Sequence, residues 1–270
     1  MIYKIFLTFA LLFFFSSHAK SQADLEIRSR VFTISGKEFY LKENTKDSTI
    51  NMTMCDEKHC VPINLNASKT DVESGNFEFE NVLLGHLPQF LITAEGNVNI
   101  CSIVFRLDLS KMTMNRVDFA NGELCNYTNV GSFLTSSYRS AATWYIDIYS
   151  NSEDSPKLIN RNRELNCNTY LQWNPSNPEE RRIVASTNSV INAELAIAIV
   201  KSTKSILFHE PRENAATHMY LISGDRVSLF DYFLDENNNG WYKIEYHGAK
   251  VIKKWIKEKD LGELINASPC

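Results

Sequence analysis

The chain has 270 residues, 44% of them hydrophobic, and its 28 Lys and Arg against 32 Asp and Glu give a formal net charge of −4. This hydrophobic content excludes wholesale disorder, and the length allows one large domain or two ordinary ones. A nucleic-acid-binding protein usually shows a basic footprint, so the mildly acidic balance predicts no nucleic-acid partner.

The first segment has the pattern of a secretory signal peptide. Lys4 precedes an apolar run over residues 5–15, and small and polar residues follow. The run is too short to span a bilayer and is typical of a signal sequence. We expect residues 1–23 to be removed, by cleavage after Ala23 in preference to Ala19. The mature protein is then predicted to be periplasmic or secreted, with no membrane span.

Residues 24–190 are predicted to form a β-rich domain. Short apolar or alternating runs are separated by polar turns, and the best helix candidate is a short turn near Pro178 to Arg182. Two similar hairpin-like segments end at Cys125 and Cys167, with a spacing of about 40 residues that is typical of a propeller blade. A sandwich of paired hairpins is the alternative architecture.

The chain has six cysteines, all after the expected signal peptide: Cys55, Cys60, Cys101, Cys125, Cys167 and Cys270. An even number in an oxidising compartment predicts disulfides. The sequence contains no C-x₂-C pair of the kind that is typical of a metal site. Cys55 and Cys60 flank the turn of a predicted hairpin, so this pair is expected to be bridged. Cys101 and Cys125 border strands that fold back, which favours a second bridge. The last two cysteines pair across domains or stay free.

The C-terminal part has short β-like runs separated by turns, a pattern that suits a small barrel. Its most specific segments are GDRV at 224–227, GWYKI at 240–244 and WIKEKDL at 255–261. In these segments the chain resembles the bacterial SH3 family, small barrels found on exported cell-envelope proteins. The resemblance implies an SH3-like domain over 198–261, after a linker at 191–197 and before a tail at 262–270.

A second, more diffuse resemblance covers residues 77–149. This stretch contains FENVLLGHLPQFLI, VNICSIVFRLD, GELCNYTN and FLTSSYRSAATWYIDIY. It is similar to bacterial periplasmic proteins with propeller-like β repeats, which include lysozyme inhibitors and immunity proteins against secreted cell-wall hydrolases. That family often has an acidic Asp-Gly-rich turn that can hold calcium. The matching turn here, at 84–88, reads LGHLP, so no metal is predicted there.

Two predicted loops, Asn126 to Tyr138 and Asn151 to Arg163, are dense in polar and aromatic residues and are candidate contacts with a partner. Aromatic side chains supply contact area at low entropic cost, so the barrel could add an exposed aromatic shelf. The alternative is that these rings fill a small core, which we expect for Trp241 and Trp255. The candidate binding residues are Tyr127, Phe133, Tyr138, Arg139, Tyr220, Tyr232 and Phe233.

A weak calcium candidate lies at Asp235, Asn237 and Asn239, which match the first half of a calcium loop. Tyr246 stands where the closing glutamate belongs, so a hairpin turn is the preferred interpretation and no metal or cofactor is predicted. Five lysines surround Trp255, either to meet anionic wall polymers or, preferably, to protect a strand edge. These lysines are Lys250, Lys253, Lys254, Lys257 and Lys259.

The sequence contains no G-x-S-x-G, no H-E-x-x-H and no Gly-rich phosphate loop, so no enzymatic activity is predicted. We therefore expect an exported binding protein, an inhibitor or immunity protein against a cell-wall-degrading enzyme or secreted effector. The alternative is a peptidoglycan-binding protein of the cell envelope that acts through the SH3-like domain.

Overall fold

The computed structural model of the protein describes residues 31–34, 37–44, 51–55, 60–64, 75–80, 89–94, 98–108, 111, 113–151, 155–166, 168–186 and 189–267. The predicted signal peptide 1–23, the turn at 84–88, Cys167 and Cys270 lie outside the described residues. The described residues form an all-β fold, which confirms the predicted fold class. No helix in the described part has the length and hydrophobicity needed to cross a bilayer.

The chain divides into two compact units. Of the described residues, those between 31 and 94 and those of 102–118 belong to the first, and those of 98–101 and 119–267 belong to the second. Strands β1 to β4 form one sheet in consecutive order, and β5 to β8 also follow one another in order in a second sheet. These strands are β1 (Val31–Ile34), β2 (Lys37–Asn44), β3 (Asn51–Cys55), β4 (Cys60–Asn64), β5 (Gly75–Glu80), β6 (Gln89–Ala94), β7 (Cys101–Asp108) and β8 (Thr113–Arg116).

The hairpin predicted around the first two cysteines is present. Strands β3 and β4 pair antiparallel, with Cys55 opposite Cys60 at the end next to the turn. Their side chains lie outside the described residues, so the bridge between them stays a prediction.

The second unit contains the short strand β9 and a seven-stranded antiparallel sheet, in which β10 to β16 follow in consecutive order. The helix candidate at 178–182 was wrong, because these residues lie within β15. Backbone pairing with β14 makes this segment a strand, although its side chains are mostly exposed and show no periodicity. The strands are β9 (Leu124–Cys125), β10 (Thr128–Val130), β11 (Phe133–Ser140), β12 (Thr143–Ser150), β13 (Lys157–Asn166), β14 (Thr169–Asn174), β15 (Asn177–Ala185) and β16 (Glu194–Leu195).

The remaining strands form a second seven-stranded sheet in the order β19-β18-β22-β21-β20-β17-β23. Two of the sheets curl into half-barrels, and the fold is barrel-like in this sense. The SH3-like resemblance of this segment stays a prediction. The strands are β17 (Ile197–Val200), β18 (Ser205–Phe208), β19 (Ala216–Leu221), β20 (Arg226–Leu234), β21 (Gly240–His247), β22 (Val251–Lys257) and β23 (Leu261–Leu264).

The two seven-stranded sheets share a hydrophobic core. Leu171, Ile183 and Ala185 of the first sheet cluster with eleven buried residues of the following segment, among them Val227 and Ile244. The predicted linker 191–197 takes part in this arrangement, since it contains β16 and a fully buried Ala196. Separate folding of 24–190 and 198–261 stays a prediction.

The predicted bridge between Cys101 and Cys125 is confirmed, with an S–S distance of 2.02 Å. Asn126 extends the link, because its backbone N–H donates to the Ile100 carbonyl (2.8 Å) and its Oδ1 accepts from the Ile100 N–H (3.1 Å). The disulfide and these hydrogen bonds hold residues 98–101 beside β9.

Candidate functional site

One face of the first seven-stranded sheet carries a cleft of about 490 Å³, a volume within the usual range for ligand sites. Cross-strand register explains which side chains share it: Tyr138 pairs with Tyr145, and Tyr145 pairs with Arg163. Because side chains alternate between the two faces of a sheet, residues two apart on β13 point into the same cleft. The lining consists of Asn121, Tyr138, Ser140, Tyr145, Arg161, Arg163, Leu171, Trp173 and Arg181.

A buried ion pair forms one side of the cleft. Asp147 is fully buried, and its two oxygens accept from Nε and Nη2 of Arg161, both at 2.7 Å. The Tyr149 hydroxyl also donates to this carboxylate (3.4 Å), and Arg161 donates to the Asn121 side-chain carbonyl (3.1 Å). The hydrogen bond to Asp147 raises the pKa of Arg161, against the opposing effect of its burial. Arg161 is therefore a permanent cation with a fixed orientation.

Aromatic side chains form the walls. The rings of Tyr138 and Tyr145 stack with centroids 5.5 Å apart and an interplanar angle of 11°. Burial raises the pKa of Tyr138, and its hydrogen bond with Asn121 opposes this effect. Trp173 lies on β14 between Arg161 and Arg181, its cross-strand neighbours on the two sides.

Two further arginines line the cleft, and nearby carboxylates neutralise their charge weakly or not at all. Arg163 is half-buried, and no carboxylate of the described residues lies within ion-pair distance of it. Arg181 approaches Asp231 of the second sheet at 3.7 Å, with both side chains partly exposed, which is a weak pairing. The cleft therefore presents an excess of positive charge.

A second groove, of about 530 Å³, shares Trp173 and Arg181 with the cleft and extends along strands β20 to β22. Its floor contains a chain of polar side chains: Arg182 Nε donates to Gln172 (2.7 Å), and Gln172 Nε2 donates to Asn162 (2.8 Å). Asn162 is fully buried and donates in turn to the Ile146 carbonyl (2.9 Å). A satisfied buried network of this kind makes the surrounding sheet rigid.

No family model, no curated protein and no solved structure matches this chain.

The predicted contact segments are largely strands and not loops. Residues 126–138 contain β10 and most of β11, and 151–163 contain most of β13, because each pairs with its chain neighbour. Tyr138 lines the cleft, as does Arg163 at the end of the second segment. Arg139 is exposed and, as the next residue of the same strand, points to the opposite face. Tyr127 and Phe133 are half-buried.

The three candidates on the second sheet do not form one shelf of neighbouring strands. Tyr220 on β19 is 53% exposed and has the Lys204 ammonium 4.8 Å from its ring centre. Strands β18, β22 and β21 separate it from Tyr232 and Phe233 on β20. Phe233 is 46% exposed, whereas Tyr232 is half-buried and its hydroxyl donates to Glu258 (3.2 Å).

The two tryptophans expected in the core differ in burial. Trp241 is fully buried, as predicted, and meets Phe208 edge to face at a centroid distance of 4.9 Å. Trp255, on β22, is only half-buried.

The calcium candidate is a hydrogen-bonded turn. Asp235 Oδ1 accepts from the backbone N–H groups of Asn237 and Asn239, both at 2.9 Å. Its Oδ2 accepts from Trp241 Nε1 (3.2 Å) and Asn239 Nδ2 (3.1 Å). These bonds, above all that from the Asn239 backbone, lower the pKa of Asp235 to about 2. The carboxylate oxygens are thus directed at donors of the turn itself.

Another group of possible ligand atoms, those of Cys101, Glu123 and Cys125, lies within 4.8 Å. Both sulfurs belong to the disulfide and offer no thiolate, so this group is not a thiolate metal site.

The edge-protecting role of the lysine cluster stays a prediction. Strand β22 lies between β18 and β21, but its registered pairing with β18 is limited to Trp255 opposite Phe208. Lys253 pairs with Glu245 (2.7 Å), and Lys257 pairs with Glu213 and lies 5.5 Å from the centre of the Trp241 ring.

Sequence reasoning missed Arg161, Trp173 and Arg181. The alternation of Arg161 and Arg163 within a strand-like run was available as a signal that both share one face. Their convergence with Trp173 and Arg181 depends on the register of three strand pairs, which no local pattern reveals.

Proposed function

We propose that this protein is an exported, non-enzymatic binding protein, an inhibitor or immunity protein against a cell-wall-degrading enzyme or secreted effector. The observation that supports this proposal is the cleft around Arg161, Arg163 and Arg181, with its aromatic walls. Its polar groups are chiefly hydrogen-bond donors, a chemistry suited to recognising a partner that carries negative charge.

Rigidity is the second requirement for a blocking protein, since a preorganised surface loses little conformational entropy on binding. The paired strands, the Asp147–Arg161 ion pair and the buried Asn162–Gln172 network all hold the cleft in place. Most glycosidases cleave with a pair of carboxylates in an acidic cleft, so a cationic face complements this class of wall hydrolase.

The test is inhibition of purified cell-wall hydrolases, muramidases first, acting on isolated peptidoglycan. We expect slower release of soluble fragments and a complex that is detectable by calorimetry and weakens as salt rises. An equal effect of the denatured protein, or no complex with any hydrolase or co-encoded effector, would contradict the proposal.

The alternative is a peptidoglycan-binding protein that acts through the second sheet. The exposed rings of Tyr220 and Phe233 are the observation in its favour, because exposed aromatics are common at recognition surfaces. Sedimentation with purified sacculi tests it. Retention that is lost in Tyr220→Ala and Phe233→Ala but kept in Arg163→Gln would support this alternative over inhibition through the cleft.

A further inference from the structure

We propose that the cleft binds the carboxylate side chains of an acidic peptide segment, with Arg163 as the main anchor and Trp173 and the paired tyrosines as apolar walls. This inference rests on the proposed function, since it specifies the chemistry of the partner surface that enters the cleft.

Arg161 and Arg163 differ in how far their charges are neutralised within the protein. Arg161 is neutralised by Asp147 through two short hydrogen bonds, so its role is largely internal. Arg163 has no such partner among the described residues although it is half-buried. A guanidinium in this position gains most from a planar, two-oxygen acceptor, which is what a carboxylate offers.

The surroundings of Arg163 add further donors. Tyr138, whose hydroxyl is a neutral donor, lines the same cleft, as does Arg181. The 3.7 Å approach of Asp231 to Arg181 shows that a carboxylate can reach one end of the cleft, and at this length it is easily exchanged for another. An incoming acidic segment would thus meet two cations and a neutral donor.

The aromatic side chains supply the apolar walls that an acidic segment needs. Tyr138 and Tyr145 are stacked on one another, which fixes the orientation of both rings. The methylene groups of Asp and Glu can pack against such a wall while their carboxylates reach the arginines. The cleft volume of about 490 Å³ accommodates side chains of this size with part of their backbone.

The experiment uses an acidic hexapeptide of Asp and Glu, and as a control its Asn and Gln counterpart. Both are titrated into the purified protein, with the Arg163 Nε–H and Trp173 indole signals followed by NMR. We expect the acidic peptide to shift both signals with saturation, and its amide counterpart to leave them in place. Equal shifts with the two peptides would overturn the proposal.

Matched variants test whether Arg163 binds the acidic peptide. Arg163→Gln is expected to weaken acidic-peptide binding at least tenfold, and Arg163→Lys less, since it keeps the charge but loses the fork. Arg139→Gln, on the opposite face of the sheet, is the control and is expected to bind as the unchanged protein does. Near-UV circular dichroism checks that each variant is folded; if Arg163→Gln is not, Arg163→Lys decides, and an unchanged affinity contradicts the proposal.

Two outcomes separate this inference from the proposed function. If a hydrolase is inhibited as well by Arg163→Gln as by the unchanged protein, the cleft inference fails and the inhibitor function stands. If the acidic peptide binds as expected but no hydrolase or effector does, the cleft inference stands and the inhibitor function fails. Tighter binding of N-acetylmuramic acid than of the acidic peptide would overturn the choice of a peptide ligand.

Discussion

The guanidinium of Arg161 donates two hydrogen bonds of 2.7 Å to the carboxylate of Asp147, across the β12–β13 strand pair. The Asp147 side chain is fully buried, while the Arg161 side chain keeps 24% of its surface exposed. The pair joins the interior of the sheet to its candidate binding surface, because the same arginine that satisfies a buried charge also lines the cleft.

Breaking this pair should be costly. We expect Asp147→Asn to lower the free energy of unfolding by about 3 to 5 kcal/mol, because it leaves a partly buried guanidinium without its counter-charge. Urea denaturation followed by fluorescence measures the loss. Asp231→Asn is the matched control, since its ion pair with Arg181 is longer and more exposed and is worth less than about 1 kcal/mol. Equal losses in the two variants would contradict this account.

The disulfide between Cys101 and Cys125 closes a loop with a sequence separation of 24. We expect the double variant Cys101→Ser, Cys125→Ser to lose about 3 kcal/mol of stability, because the bridge restricts the unfolded chain. Thermal unfolding of the double variant without reductant isolates this bridge from others. A change below 1 kcal/mol would show that the bond does not constrain the unfolded state in this way.

Gly240 leaves room for the carboxylate of Glu258. A Cβ at this position would stand 1.8 Å from Glu258 Oε2 and 2.9 Å from the Tyr232 hydroxyl, so Gly240→Ala must displace the glutamate side chain. Burial, and then the charge and hydrogen bond of Glu258, raise the pKa of Tyr232 to about 12, against the effect of Arg163. We expect Gly240→Ala to lower this pKa, as measured by NMR titration. Glu258→Gln removes the same charge and should shift the pKa in the same direction; a rise in either variant would contradict the assignment.

The Asp235 turn should give stability that depends on pH. Its hydrogen bonds lower the pKa of the carboxyl from 3.8 to about 2 in the folded protein. The stabilisation is therefore complete above about pH 4 and is lost as the pH falls towards 2. We expect Asp235→Asn to be less stable than the unchanged protein at pH 6 and nearly equal to it at pH 2. A carboxyl carbon signal of Asp235 that titrates near 4 would contradict this prediction.

Local signals were enough for much of the fold. The alternating runs and polar turns predicted an all-β protein, and the spacing of Cys55 and Cys60 predicted a hairpin that β3 and β4 form. The segment 178–182 was misjudged because its side chains are mostly exposed on both faces, which removes the alternation on which strand prediction depends.

Only part of the candidate site could be predicted from local sequence signals. Tyr138 is a predicted binding residue in a segment dense in polar and aromatic residues, and it lines the cleft. Arg161 and Trp173 were missed because they become neighbours only through the pairing of β13 with β14. The position of β22 between β18 and β21 is a property of sheet order and not of local sequence, so the neighbours of its lysines could not be predicted in the same way.

By itself the sequence determined the fold class and the Cys101–Cys125 bridge, since alternation and cysteine placement act over a few neighbouring residues or one pair of strands. Only the tertiary structure decided that three arginines, a tryptophan and two stacked tyrosines converge on one face, and that Asp147 compensates Arg161 and not Arg163. The physical reason is that register between distant strands sets which charges meet, and a shift of one residue in any pair would turn those side chains to the opposite face.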